Sequence, residues 1–331
     1  MPSSAPKRRS PSATSRVARR GDGRIPFGGT EGVCAVAEGD NRVVLAGVDG
    51  SPSAGHAAVW AAAVAARRGA VLKLVQAYTV PGPGVSGMAV AAVREGFRAV
   101  AETGLADAEG TVLARWPSLP VERSAVEGSV VGVLLRESAG AEVVALGSRG
   151  LGGFTGLLLG STAAALAGRA PCPVVVVRGR KPDDAPPTTG PVLVGLDGSP
   201  DSNDALGYAC EEATARSTGL VAVRTWNEIT SGSSPRKADC RPEDMAVGER
   251  RLVDEQLAPW REKFPDLPVE VVVAHGRPAR TLLELGAGAQ LVVVGTRGRG
   301  GFTGMLLGST SHALLVHSPC PVAVVRPGSR P

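Results

Sequence analysis

The chain repeats itself at a constant distance. Gly147-Ser-Arg-Gly-Leu-Gly-Gly-Phe-Thr-Gly-Leu-Leu-Leu-Gly-Ser-Thr162 returns 148 residues later as Gly295-Thr-Arg-Gly-Arg-Gly-Gly-Phe-Thr-Gly-Met-Leu-Leu-Gly-Ser-Thr310. The same offset relates Asp49-Gly-Ser-Pro52 to Asp197-Gly-Ser-Pro200, and Ala170-Pro-Cys-Pro173 to Ser318-Pro-Cys-Pro321. A constant offset leaves no net insertion between these landmarks. The period exceeds the roughly 20–50 residues of a solenoid repeat and matches an ordinary domain. The sequence therefore predicts one domain used twice, over residues 42–180 and 191–331. The Pro-rich stretch 181–190 joins them and reaches at most about 35 Å.

Residues 1–41 have no counterpart in the repeat. They hold seven basic and four acidic residues, which is +3 of the chain's formal +5. Ser, Pro and Gly fill much of the remainder, a composition that cannot bury a core and predicts disorder. The basic character thus belongs mostly to the tail and marks no basic face on the domains. Nucleic acid is not an expected partner. Arg19-Arg20 has no apolar segment after it, so it is not read as an export signal. No apolar run approaches the roughly 20 residues of a membrane span. The five cysteines lack CxxC spacing, which fits a reducing cytoplasm and predicts neither a disulfide framework nor a protein metal site.

Within each copy, Val/Leu-rich runs alternate with helical stretches. Copy one predicts strands at 43–48, 71–77, 121–126, 142–147 and 173–177. Between them it predicts helices at 54–67, 91–116, 130–138 and 161–167. Runs with little polar alternation suit strands buried on both faces. The expected class is α/β: two tandem doubly wound domains, each a parallel sheet flanked by helices. Ligands on such sheets bind at the carboxyl ends of the strands, near the switch in strand order. Val174–Val177 ends its domain as an apolar sheet edge, and Val322–Val325 ends the other. Bare edges invite pairing, so the two last strands are expected to pair as a pseudo-two-fold dimer within one chain.

Each copy carries G-x2-G-x9-G-S: Gly147, Gly150, Gly160 and Ser161, then Gly295, Gly298, Gly308 and Ser309. Glycine permits left-handed backbone and close approach. Backbone amides beside an open helix N-terminus attract anions. Ser161 or Thr162, and Ser309 or Thr310, could cap that helix or bond a phosphate. Arg149 and Arg297 add charge between the first two glycines. Leu151→Arg299, Glu127→His275 and Ala164→His312 between the copies predict a more basic second site. There is no G-x4-G-K-[ST], no G-x-S-x-G and no HExxH. No general base stands paired with a nucleophile in both copies, so no catalytic residue is assigned.

On these motifs the sequence resembles the universal stress protein family, in its tandem, ATP-binding form. The resemblance covers both domains. It implies five parallel strands in the order 3-2-1-4-5 and dimerisation through the last strand. It also implies ATP as the ligand, with Mg²⁺ arriving on the nucleotide. Asp49 and Asp197 match the family's acidic residue near the adenosine, and Ala77 and Thr225 match the position that contacts adenine. The function so implied is a cytoplasmic stress-response sensor or regulator, with hydrolysis slow at most, which assembles into homo-oligomers beyond the intrachain pair. Two alternatives stay open on sequence alone: a nucleotide-free interaction module, and a weak adenine-nucleotide hydrolase or nucleotidyl-transfer enzyme.

Overall fold

The structure, a computed structural model, describes residues 42–80, 88–151, 159–181, 184–226, 242–298 and 306–329. The tail, the interiors of both glycine loops and Arg299 lie outside the described residues. The first copy runs β1 (Val43–Gly47), α1 (Pro52–Arg68), β2 (Val71–Tyr78), α2 (Met88–Leu113), β3 (Val121–Glu127), α3 (Val130–Glu137), β4 (Val143–Gly147), α4 (Ser161–Arg169) and β5 (Val174–Val177). The second copy repeats the order. It runs β6 (Val192–Leu196), α5 (Pro200–Ala215), β7 (Leu220–Trp226), α6 (Pro242–Lys263), β8 (Val269–His275), α7 (Pro278–Gly286), β9 (Leu291–Gly295), α8 (Ser309–His317) and β10 (Val322–Val325).

Helix starts follow local chemistry. Ser51 and Ser199 cap α1 and α5, accepting from the amides of Ala54 and Ser202, with proline at the first helical position. That proline suits the first turn, where no N–H is needed, so α1 begins at Pro52 rather than at the expected Ala54. Gly69, at φ 62°, ends α1 in a left-handed turn whose amide returns to the Ala65 carbonyl. This turn is glycine's usual place after a helix.

The strands form one sheet ordered β3-β2-β1-β4-β5-β10-β9-β6-β7-β8. Each half is parallel, in the expected order 3-2-1-4-5. The halves meet where β5 and β10 pair antiparallel, Val176 against Val322 and Val174 against Val324. All eight residues of these two strands are buried. The exposed edge feared from the sequence is thus covered by its own repeat.

The sheet is packed on both faces. Along β1, Val44 and Ala46 join one core with α1 and α5, and Leu45 joins the other with α4 and α8. Each core continues across the β5–β10 seam. At roughly 1.5–3 kcal/mol for each buried Val or Leu side chain, the seam is a strong apolar contact.

Polar groups cross the seam as well. Glu212 of α5 takes Arg68 of α1 at 2.6 Å and Arg216 of its own helix at 2.9 Å. Arg68 lies over the Tyr208 ring, and Arg216 over the Trp60 ring, at 5.9 and 5.4 Å from the centroids. These two contacts are mates under the pseudo-two-fold. Glu212 is not part of that symmetry, because its counterpart is Val64. Arg178, just past β5, donates to the Leu315 and Val316 carbonyls at the end of α8, where a cation suits the helix dipole.

Candidate functional site

The Asp-Gly-Ser-Pro turns stand at the carboxyl ends of β1 and β6. Gly50 and Gly198 sit there at φ 84° and 77°, a backbone state that suits glycine. The turn folds the aspartate back on itself: Asp49 Oδ1 accepts from the Ser51 amide at 3.0 Å, and Asp197 Oδ1 from the Ser199 amide at 2.9 Å. Asp49 Oδ2 then accepts from the Leu151 amide at 3.1 Å. One carboxylate therefore ties the β1–α1 turn to the glycine loop after β4. These two strands are parallel neighbours in the sheet, and the reversal of strand order between them makes the crevice.

The motif glycines have separate reasons. None of the six adopts a left-handed φ, so conformational freedom does not explain them. Gly147 and Gly295 let the first turn of the following helix approach the strand end. A Cβ there would lie 2.7 Å from Ser53 Oγ in one copy and 2.7 Å from Asp201 Cβ in the other. Gly150 and Gly298 admit the aspartate: a Cβ at Gly150 would collide with Asp49 Oδ2, and one at Gly298 would lie 2.6 Å from Asp197 Oδ2. Gly160 and Gly308 differ. Among the described residues a Cβ at Gly160 would meet nothing nearer than Ser148 O at 3.5 Å. At Gly308 the nearest described atoms stand at 3.4 Å. Both are ordinary contacts, and the backbones, at φ −68° and −73°, suit any residue.

Those last glycines close the loop. The Gly160 amide donates to the Ser148 carbonyl at 2.8 Å, and the Gly308 amide to the Thr296 carbonyl at 2.7 Å. They are also the N-caps of α4 and α8, with no side-chain cap bond. This corrects the expectation that Ser161 or Thr162 caps the helix. The Gly160 carbonyl already accepts from Ala164, so Ser161 is the first helical residue and stands exposed, with Thr162 half-buried. Ser309 and Thr310 repeat this. The first amides of a helix have no acceptor within it, and here neither N-cap residue supplies a side-chain cap.

The remaining candidates fall on the same edge. Gly47 pairs with Val75, so Ala77 stands level with Asp49; Thr225 holds the equivalent place on β7. Arg149 is half-buried and Arg297 is exposed. His275, the last residue of β8, is exposed against the Trp226 ring, with centroids 4.6 Å apart. His312 and His317 are exposed on α8, while His56 is half-buried on α1.

The copies also differ at Ser53→Asp201. Ser53 Oγ lies 3.5 Å from Ser148 Oγ. In the second copy Asp201 Oδ2 accepts from Thr296 Oγ1 at 2.6 Å and from the Arg297 amide at 3.1 Å. The Arg297 guanidinium follows at 3.9 Å. Asp201 is buried and puts a carboxylate under the second loop, against the expectation of a simply more basic site. Residue-by-residue alignment at the 148-residue offset would have exposed it.

Among the described residues no group of three or more His, Cys, Asp or Glu is placed to hold a metal. No described helix is long and apolar enough to cross a membrane.

The model of the universal stress protein family matches residues 40–178 and 188–326. The chain belongs to the universal stress protein family. A universal stress protein of Mycobacterium tuberculosis strain H37Rv is 39% identical over 295 residues, covering 86% of this chain and 96% of that one. One from Mycolicibacterium smegmatis is 39% identical over 292 residues, covering 86% and 97%. The crystal structure of a universal stress protein from Archaeoglobus fulgidus shares the fold, with a TM-score of 0.64 at 21% identity over 87% of this chain and 99% of that one. The two family matches correspond to the two halves of the ten-stranded sheet.

Proposed function

We propose that this universal stress protein binds an adenine nucleotide at the carboxyl edge of each half-sheet and acts in the cytoplasm as a stress-response regulator. The phosphates lie over the glycine loop and the N-terminus of α4 or α8, and the base lies toward Ala77 or Thr225. The observation that carries this reading is the freedom at Gly160 and Gly308. The fold needs Gly147 and Gly150 for its own packing, yet nothing described near Gly160 requires a glycine there. A bare backbone at an uncapped helix start suits an anion brought close.

Asp49 acts by holding the turn and the loop together, which fixes the amides before ligand arrives, and Asp197 holds its own turn. Mg²⁺ comes with the nucleotide and keeps its own waters. No described side chain stands as a general base over the loop, so turnover is slow and the signal is conformation or further assembly.

The test uses Gly160→Ala with Gly308→Ala in the full chain. Melting falls by no more than a few degrees, the cost of alanine at two helix N-caps, while Mg·ATP affinity falls at least about tenfold. Unchanged affinity would remove the loop from the site. Gly160→Glu with Gly308→Glu is the stronger form and abolishes binding.

A second reading has its own observation. Val93, Phe97 and Val100 form an exposed apolar stripe on α2, as an interaction module would display. That reading predicts no thermal shift with any adenine nucleotide.

A further inference from the structure

The two loops are built on different first turns. In the first copy the strand end meets two hydroxyls, Ser53 and Ser148. In the second it meets a carboxylate, Asp201, which engages Thr296 Oγ1 and the Arg297 amide. Asp201 belongs to the first turn of α5, a usual place for an acidic side chain beside the helix dipole. It uses one amide of the loop and draws the Arg297 guanidinium to 3.9 Å. Both effects act against an anion on that loop. The amide is occupied, and the positive charge of Arg297 is shared with a fixed negative one. A buried charge is screened less by salt than an exposed one.

We infer that the side chain at this position sets how much negative charge each loop accepts: Ser53 suits the first site to a nucleoside triphosphate, and Asp201 biases the second toward a less anionic nucleotide such as a monophosphate. The inference rests on the nucleotide reading above. Other differences between the copies do not replace it. His275 and His312 are exposed, and neither changes when one site is compared with itself. Glu127, the counterpart of His275, is already paired with Arg94 at 2.8 Å. Arg299 lies outside the described residues, and its charge is constant when one site is compared with itself.

The experiment isolates each site in the full chain. Gly160→Glu closes the first site and leaves the second; Gly308→Glu does the reverse. Calorimetric titration with Mg·ATP and with AMP gives an ATP-to-AMP affinity ratio for each. In the Gly160→Glu background, Asp201→Asn keeps the shape and removes the charge, and the ratio rises about tenfold. In the Gly308→Glu background, Ser53→Asp lowers the ratio about tenfold. A structural disturbance would instead weaken both nucleotides together and leave the ratio unchanged, which would overturn the inference. Asp201→Ser gives a second variant with the residue nature already uses in the other copy, and its ratio rises too. If wild type binds both nucleotides and neither substitution moves the ratio, the inference fails and the nucleotide reading stands. If wild type binds neither, the nucleotide reading fails and this inference falls with it.

Discussion

Replacing Glu212 with valine makes the two repeats alike at this position, since its counterpart is Val64. The structure says the change is costly. Glu212 has a side-chain exposure of 1%, beside Arg216 at 8% and Arg68 at 12%. Burial pushes its carboxyl up, but Arg216 and Arg68 outweigh that and hold it below the usual carboxylate range. Without it, two buried guanidinium groups lose a shared anion. Removing one member of a buried ion pair costs about 3–5 kcal/mol. Arg68 keeps Glu142 at 3.0 Å, so the lower end, about 3 kcal/mol, is the expected loss. For a folded unit of this size that is roughly 5 °C in melting temperature. Differential scanning calorimetry at neutral pH reads it. Glu102→Gln is the control, because Glu102 pairs with Arg98 at the surface and its removal should not be measurable. Replacing Arg68, Glu212 and Arg216 together by Met, Val and Met should cost less than Glu212→Val alone, because Glu142 keeps Arg42 and no charge is left stranded. Equal melting of Glu212→Val and wild type would refute the reasoning.

Other outcomes follow from the same geometry. A carboxyl held low in the folded state contributes stability above its unfolded pKa, about 4.3, and loses it as pH falls through the lower folded value. Wild type should therefore lose melting temperature more steeply than Glu212→Val below about pH 4.3, as acid-series calorimetry will show. Gly150→Ala drives a Cβ into the Asp49 carboxylate. It should lower the melting temperature more than Gly160→Ala does, and first-site ATP affinity with it. Burial pushes the Cys172 thiol up to about 12 and the Cys320 thiol up to about 11. Thiol labelling of both at pH 8 should be slow until denaturant is added, and mass mapping of the labelled peptides checks it.

The strands were legible because burial on both faces leaves unbroken runs such as Val174–Val177. Their apolar edge foretold the β5–β10 pairing, since an edge of four valines has few other fates. The repeat placed the glycine loops at the strand order switch. What each glycine does was not legible. Gly147 and Gly150 serve contacts with Ser53 and Asp49, residues about a hundred positions away, and only the folded register brings them together. The seam's charges were hidden for the same reason: Arg68 and Glu212 are 144 residues apart. The cap was misread because Ser161 has the composition of an N-cap, while the Gly160 carbonyl makes the first helical bond. Asp201 was legible in principle, as a single difference at the repeat offset, but its meaning required the amide it touches.

Amide hydrogen exchange on the full chain, with and without Mg·ATP, tests the central claim most directly. The account predicts slowed exchange at the start of α4, over Ser161–Ala163, and in the loop residues Ser148–Gly150, together with a saturable dose dependence. Protection confined to other segments, or no protection at nucleotide concentrations that saturate binding, would contradict it.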